Sequence, residues 1–304
     1  MFFQDMLASL PQEPNFNFFS FSDVNPVSGR TKQRTVAAPN ESMKILQRRF
    51  VKYLRSDENG AVRKKFLRYA MSSNPGDSPL KNVQRHRHNR YFYLVDFSNA
   101  YKSVGADKLV NVLMQLSTFR SVLPEELHAF LTTYFLDKKW GLIPGGNASQ
   151  DLFNLYAGAL VDVPLGEIAE EHGIIYTRYI DDLTFSSISP ISEKMRRNIR
   201  GPILQAGFSI NHRKCECVDL KKKTTLITGI GIADGGRLFV PRPYVRKIRG
   251  LIHHALTKKD VDMRRITGMV QILYQLHYEQ NTYSALEQKV FKEFNALRKV
   301  KGIF

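Results

Sequence analysis

The chain has 304 residues, 43% of them hydrophobic and 24% charged, which suits one large or two ordinary globular domains and excludes wholesale disorder. Its 45 Lys and Arg against 28 Asp and Glu give a formal charge of +17, a field that favours a polyanion, nucleic acid being the commonest; a generically basic protein or a membrane-surface binder carries the same balance. No run approaches the roughly 18–20 uninterrupted apolar residues of a membrane span, Met1 to Pro11 lack a basic-then-apolar secretory pattern, and Cys215 and Cys217 alone make no zinc site, so a cytoplasmic protein with reduced thiols and no membrane partner is expected.

In chain order, residues 11 to 31 are rich in Pro, Asn, Ser and Phe and read as an irregular entry segment. Met43 to Leu54 places Ile45, Leu46, Phe50, Tyr53 and Leu54 on one helical stripe, with Asn40 or Ser42 as the cap. Residues 72 to 81 form a Pro/Gly/Ser loop. Tyr91 to Asp96 is a compact aromatic and β-branched run, hence a buried strand ending on a carboxylate. Lys108 to Phe135 reads as mostly helical, and Gln150 to Glu170 as a helix after a Gly-rich turn, interrupted by Pro164. Ile174 to Tyr179 and Leu183 to Ser187 are strands joined by a very short acidic turn, a β-hairpin. Further strand signals lie in Leu226 to Val240, and from Val245 onward the pattern is helical, broken near Lys258 to Asp262. Strands and helices alternate without a βαβ rhythm, so the fold class is α+β.

Chemistry concentrates at the hairpin. Asp181 and Asp182 are adjacent like charges on a tight turn, and a bound divalent cation relieves such repulsion. An exposed Asp-Asp turn is the ordinary reading of that dipeptide by itself. Asp96, at the end of a buried strand, adds a third carboxylate where a strand end can meet the hairpin. Three carboxylates in a strongly basic chain are the set that two-metal phosphoryl transfer requires.

These motifs resemble those of reverse transcriptases. Asp96 and Tyr101 match the palm's Asp-x-x-x-x-Phe/Tyr, and Tyr179-Ile180-Asp181-Asp182 matches its Tyr-x-Asp-Asp hairpin. Ile143 to Gln150, which includes Gly146, resembles the Pro-Gln-Gly…Ser-Pro loop, and Gly207 to Lys214 the next palm motif. Upstream, Lys32 to Pro39 followed by Met43 to Arg48 resembles the fingers motif of retron and group II intron enzymes. Asn82 to His86, Ile227 to Gly229 and Val240 to Arg242 are similar to elements of retron enzymes.

The resemblance, over roughly residues 30 to 280, implies a right-hand polymerase with an antiparallel palm sheet. Its parts would be fingers (1–90), palm (91–232) and a helical thumb (233–304). It further implies that Asp96, Asp181 and Asp182 hold two magnesium ions, with manganese as a substitute. Lys32, Arg34, Gly146 and Lys214 would meet the incoming dNTP, Tyr101 would gate against the ribose 2′-hydroxyl, and Tyr179 would face nucleic acid. The implied reaction is RNA-directed DNA synthesis on a structured non-coding RNA in phage defence, with a homo-oligomer or accessory protein left open. Departures are a missing Gln in the Pro-Gln-Gly loop and Gln150 in place of the final Pro. A Ser-Gln ending also occurs in diversity-generating retroelements, which keeps that lineage open; an inactive RNA-binding polymerase relative is the third reading.

A basic cluster, Arg85, His86, Arg87, His88 and Arg90, precedes the Asp96 strand. Arg242, Arg246 and Arg249 recur at helical spacing, a stripe able to follow a phosphate backbone or simply to face solvent. Tyr274, Tyr278 and Phe291 have the spacing of core packing more than of base stacking. The span after the thumb-like region is too short for a ribonuclease H domain.

Overall fold

A computed structural model describes residues 3–7, 16–24, 29, 31–72, 74–257, 262–280 and 283–301. The chain divides into two compact units: residues 1–21, 33–78 and 89–217, and residues 22–32, 79–88 and 218–304.

The first unit is built on an antiparallel sheet in which Ile175–Tyr179, Asp182–Ser187, Tyr91–Ser98 and Ser209–Ile210 lie in that order, with Glu216–Asp219 also pairing Tyr91–Ser98. The predicted buried strand extends two residues past Asp96, because Phe97 and Ser98 pair with Ile210 and Ser209. Helices Glu41–Leu54, Ala106–Leu113, Pro124–Tyr134 and Ser149–Ala157 belong to the same unit. Phe50, Phe119, Phe130 and Phe135 form a shared aromatic cluster, Phe50 lying 4.7 Å from Phe135 and 5.2 Å from Phe130 between ring centroids.

Local chemistry sets the element ends. Asn40 caps Glu41–Leu54 by accepting from Met43 N–H at 2.9 Å, while Ser42 donates to the Asn40 side chain. The buried face of that helix is Met43, Leu46, Gln47, Phe50, Tyr53 and Leu54, so Ile45, expected inside, is exposed. One helical step of 100° carries it off the Leu46–Phe50 row. The Lys108 to Phe135 stretch is two α-helices separated by a short 3₁₀ turn, with Pro124 opening the second.

The helix expected over Gln150 to Glu170 is interrupted just before Pro164 rather than at it. Gly158–Asp162 forms a π-turn and Pro164 sits in the first turn of Val163–Glu171, because a proline removes an N–H and crowds the carbonyl four residues earlier. Joined, Ser149–Glu171 is long and apolar enough to cross a membrane by length and composition alone, which reading for uninterrupted apolar runs had not picked out; 67% of its apolar window is buried inside the protein.

The entry segment also departs from expectation. Phe16–Val24 is a strand paired with Thr31–Pro39. It is exposed along nearly its whole length, and although Phe and Ser alternate from Phe19 to Ser22, the Pro, Asn and Ser around them gave the segment a loop's composition.

The second unit holds a three-stranded antiparallel meander, Thr225–Ile227, Ile230–Ile232 and Leu238–Phe239, and the short helix Pro79–Arg85. It also contains helices Arg242–Thr257, Met263–Gln280 and Ala285–Val300. The last begins in a capping box between Ser284 and Glu287. The break expected near Lys258 to Asp262 lies, but for Asp262, outside the described residues.

Candidate active site

Antiparallel register decides the geometry of the carboxylates. Asp96 stands directly opposite Asp182, and Asp182 opposite Tyr179 closes the hairpin, leaving Ile180 and Asp181 as a two-residue turn. Phe97 N–H donates to the Asp181 carbonyl at 3.0 Å. The three acids that the sequence could only permit to meet therefore do so. Asp96 is 5% exposed; Lys214 Nζ lies 2.6 Å from its Oδ1, and Asn211 donates to Oδ2 at 3.2 Å. Asn211 was not among the predicted site residues, although it lies in the same motif as Lys214.

The patch resists full ionisation. Burial, and then the charge of Asp96, raise the pKa of Asp181. Burial, followed by the charges of Asp181 and Asp96, pushes Asp182 up to about 7. Asp182 keeps an outer face open to water, so screening tempers that rise without changing its direction. Burial would lower the Lys214 ammonium, but its bond to Asp96 and the neighbouring acids outweigh this and raise it.

Among the described residues no three His, Cys, Asp or Glu side chains stand in ready-made metal-holding geometry; Asp96 bonds to Lys214 and Asn211 as well as to Asp182. The donor chemistry nonetheless fits a hard divalent cation: all three groups are carboxylates, and two have raised pKa values that a cation would lower.

Beneath the turn lies a group that sequence reasoning missed. Arg178 and Asp162 are both fully buried. The Arg178 guanidinium donates to both Asp162 oxygens at 2.7–3.0 Å, to Asn154 Oδ1 at 3.0 Å and to the Ile180 carbonyl at 2.9 Å. Ile180 needs that support. Its φ of 57° is in the left-handed region, a conformation that hairpin turns ordinarily assign to Gly or Asn and that costs a β-branched residue about 1–3 kcal/mol. Ser72 Oγ accepts from its N–H at 3.3 Å.

Tyr101 sits on a 3₁₀ turn after Asn99, its ring 5.2 Å from Phe153. Burial and then Asp181 push its hydroxyl up to about 12, so it stays a neutral donor, to Gln150 Oε1 at 3.1 Å. The loop containing Gly146 is seated on the strand of Arg34: Ala37 N–H donates to the Pro144 carbonyl at 2.6 Å, and Asn147 N–H to Gln47 at 2.7 Å. Arg34, although exposed, lies close enough for its charge to act on Asp181. Lys32 is assigned to the second unit.

The missing Gln of the loop has a physical reason. Gly145 occupies that place at φ 94°, and a Cβ there would stand 2.8 Å from the Ala37 carbonyl. Gly145→Gln is expected to cost about 1–3 kcal/mol and to raise the KM for dNTP by loosening the loop. Urea denaturation and steady-state kinetics check both; a midpoint equal to the parent's would show the loop tolerates the change.

The predicted cationic groups divide. Arg85 is exposed, but His86 is wholly buried and held neutral, its pKa pushed down to about 3 by burial and then by Arg85. Arg87 donates to the Gly236 carbonyl at 3.0 Å. Arg242 and Arg246 are exposed on one helix, whereas Arg249 is engaged by Glu293 at 2.8 Å. Tyr179 is half-buried. Tyr274 packs on Phe291 with centroids 4.3 Å apart, as core spacing implied, while Tyr278 is 89% exposed.

With that geometry in view, the family profile described as "Reverse transcriptase (RNA-dependent DNA polymerase)" matches residues 24–232. The chain belongs to the reverse transcriptase family. Its relatives include "Retron Ec86 reverse transcriptase" of Escherichia coli, 26% identical over 276 residues that cover 89% of this chain and 81% of that protein. "Retron Mx65 reverse transcriptase" of Myxococcus xanthus is 25% identical, over 84% of this chain and 61% of that one. The enzyme is thus retron-like, as its short motifs indicated. Telomerase from Candida albicans shares the fold at TM-score 0.55 and 11% identity; the match covers 96% of this chain but 56% of the telomerase. Telomerase from Candida tropicalis aligns at TM-score 0.51, over 87% of this chain and 52% of its own. A reverse transcriptase fold of helices and antiparallel sheet is thereby established.

Proposed function

We propose that this reverse transcriptase copies an associated structured non-coding RNA into DNA by two-metal phosphoryl transfer, in the cytoplasm and in the service of phage defence. The observation that carries the chemistry is the pairing of Asp96 with Asp182 across the sheet, with Asp181 on the adjoining turn. Asp96, Asp181 and Asp182 would hold the magnesium ions. When bound, the metal supplies activation of the priming 3′-hydroxyl and charge neutralisation at the leaving pyrophosphate, with manganese able to serve.

The chain's own residues position the rest. Arg34 offers positive charge beside Asp181 for a triphosphate, and Gly146 belongs to the loop that docks on the Arg34 strand. Lys214, charged and bonded to Asp96, would give a proton to pyrophosphate. Tyr101, neutral and wedged on Phe153, narrows the space available to a ribose 2′-hydroxyl. Lys32, Tyr179, Arg85, Arg87, Arg242 and Arg246 are proposed nucleotide or nucleic-acid contacts, within fingers (1–90), palm (91–232) and thumb (233–304). Arg249 keeps that role only if RNA displaces Glu293.

The test is labelled-dNTP incorporation by the purified protein with its co-purifying RNA and magnesium, beside Asp181→Ala/Asp182→Ala. DNA from the parent alone, complementary to the bound RNA on sequencing, is the expected outcome; no product from either, with manganese also tried, would leave a binding module. A diversity-generating lineage with an accessory protein is favoured by one observation, the Ser149-Gln150 ending with Gln150 on the Tyr101 hydroxyl. An elevated, base-selective error rate that Gln150→Pro lowers would support it.

A further inference from the structure

The second unit contains a cavity of about 900 Å³ that none of the polymerase chemistry uses. Its lining is mixed but more apolar than polar, with Leu238, Leu273 and Leu276 buried along it. One wall carries His277 and Tyr283, stacked with 12° between their planes. His277 Nδ1 is buried and has no hydrogen-bond partner among the described residues.

The rim has the opposite character. Arg237, Arg242 and Arg246 line it, and no carboxylate among the described residues pairs with any of the three. The lining carboxylate, Glu287, is spent on the N–H and hydroxyl of Ser284 at 2.7 and 2.6 Å. The first turn of Arg242–Thr257 also borders the cavity and adds its positive end to the guanidinium charge, whereas that of Ala285–Val300 is met by Glu287.

We infer that this cavity takes one phosphorylated nucleotide, its base in the apolar recess against the His277–Tyr283 wall and its phosphate at Arg242 and Arg246. A flat apolar-aromatic recess selects a base without needing its sequence context, an exposed arginine pair selects phosphate, and the volume lies within the range of small-ligand sites. The nucleotide comes either from an unpaired position of a bound RNA or from the free pool. The RNA source deepens the reading of a structured RNA partner and rests on it; the pocket itself does not.

The test uses the full chain in EDTA, which keeps the carboxylate site from contributing through metal. The probe is a short RNA hairpin with one unpaired 2-aminopurine, beside a fully paired hairpin of the same stem. The parent should bind the unpaired form about tenfold more tightly and quench its fluorescence. Tyr283→Ala should lose preference and quenching together, and Arg242→Ala/Arg246→Ala, both surface changes, should weaken binding of either hairpin. Recovery of fluorescence on adding adenosine monophosphate while the hairpin remains bound would assign the pocket to free nucleotides; quenching that persists assigns it to RNA. Equal affinity for both hairpins with no quenching, in a protein that also fails to bind the monophosphate, overturns the inference. DNA synthesis with that result sinks the pocket alone, and quenching without DNA synthesis sinks the polymerase reading alone.

Discussion

Asp182→Asn is expected to reduce nucleotide incorporation by on the order of 10³-fold while raising the thermal stability of the metal-free protein at pH 8. The two effects have one cause. Folding sets Asp182 among Asp96 and Asp181, so the folded protein holds the Asp182 proton up to about pH 7, against an ordinary value of 3.8. Between those values the folded state binds a proton that the unfolded chain has released. The contribution of this group to stability is therefore full below about pH 4, is lost as pH rises through 7, and stays lost above it. Asn does not ionise and escapes the loss. Because the outer face of Asp182 is solvated, the gain is discounted to about 1 kcal/mol, and it should vanish in melts at pH 4. Magnesium should reverse the order, stabilising the parent by mass action while leaving the variant behind.

The same linkage fixes the pH profile. Metal and proton compete for one carboxylate patch, so the acid limb of the rate should lie near neutrality at low magnesium and move to lower pH as magnesium rises. An acid limb indifferent to magnesium would mean that protonation of these groups does not control metal entry. Melts and rates together make the prediction hard to mimic by misfolding, since a misfolded variant loses stability as well as activity.

Much of this site was legible in the sequence because its signals are local. A strand ending on an acid, a very short acidic turn between apolar runs, and a cap residue before a helical stripe each follow from spacing alone, although Asp182 proves to open the second strand rather than to lie in the turn. The Asp96–Lys214 bond was partly legible, through a motif that put Lys214 near the triphosphate without naming what holds it. What escaped was set by tertiary packing. The exposed strand Phe16–Val24 carries aromatics on a solvent-facing ribbon, so no period-two burial marks it. Ile45 looked internal because apolarity was read without its angular position. The pairing of Arg178 with Asp162 spans sixteen positions and links a strand to a π-turn. A signal did exist: one unpartnered cation in an otherwise buried strand and one acid in an apolar helix, opposite in sign.

That pair supports the second large effect, from Asp162→Ala. Removing the carboxylate leaves the Arg178 charge fully buried with only Asn154 and the Ile180 carbonyl to receive it, and strips the Tyr176 hydroxyl of its acceptor at 2.7 Å. Breaking a buried pair from one side costs about 3–5 kcal/mol, read as a fall in the denaturation midpoint. Stability alone would not reveal whether the pair also positions the catalytic turn, so Asp162→Leu/Arg178→Met is the decisive companion. With both charges gone, most of the stability should return, less what the orphaned Tyr176 and Asn154 groups cost. Activity should not return, because Ile180 at its left-handed φ has lost the donor that holds its carbonyl, and Asp181 is the next residue. The expected deficit is on the order of 10²-fold, carried by kcat, with RNA affinity unchanged. A double variant that is both stable and fully active would reduce Arg178 to a packing element and leave the geometry of the Asp181–Asp182 turn to the sheet alone.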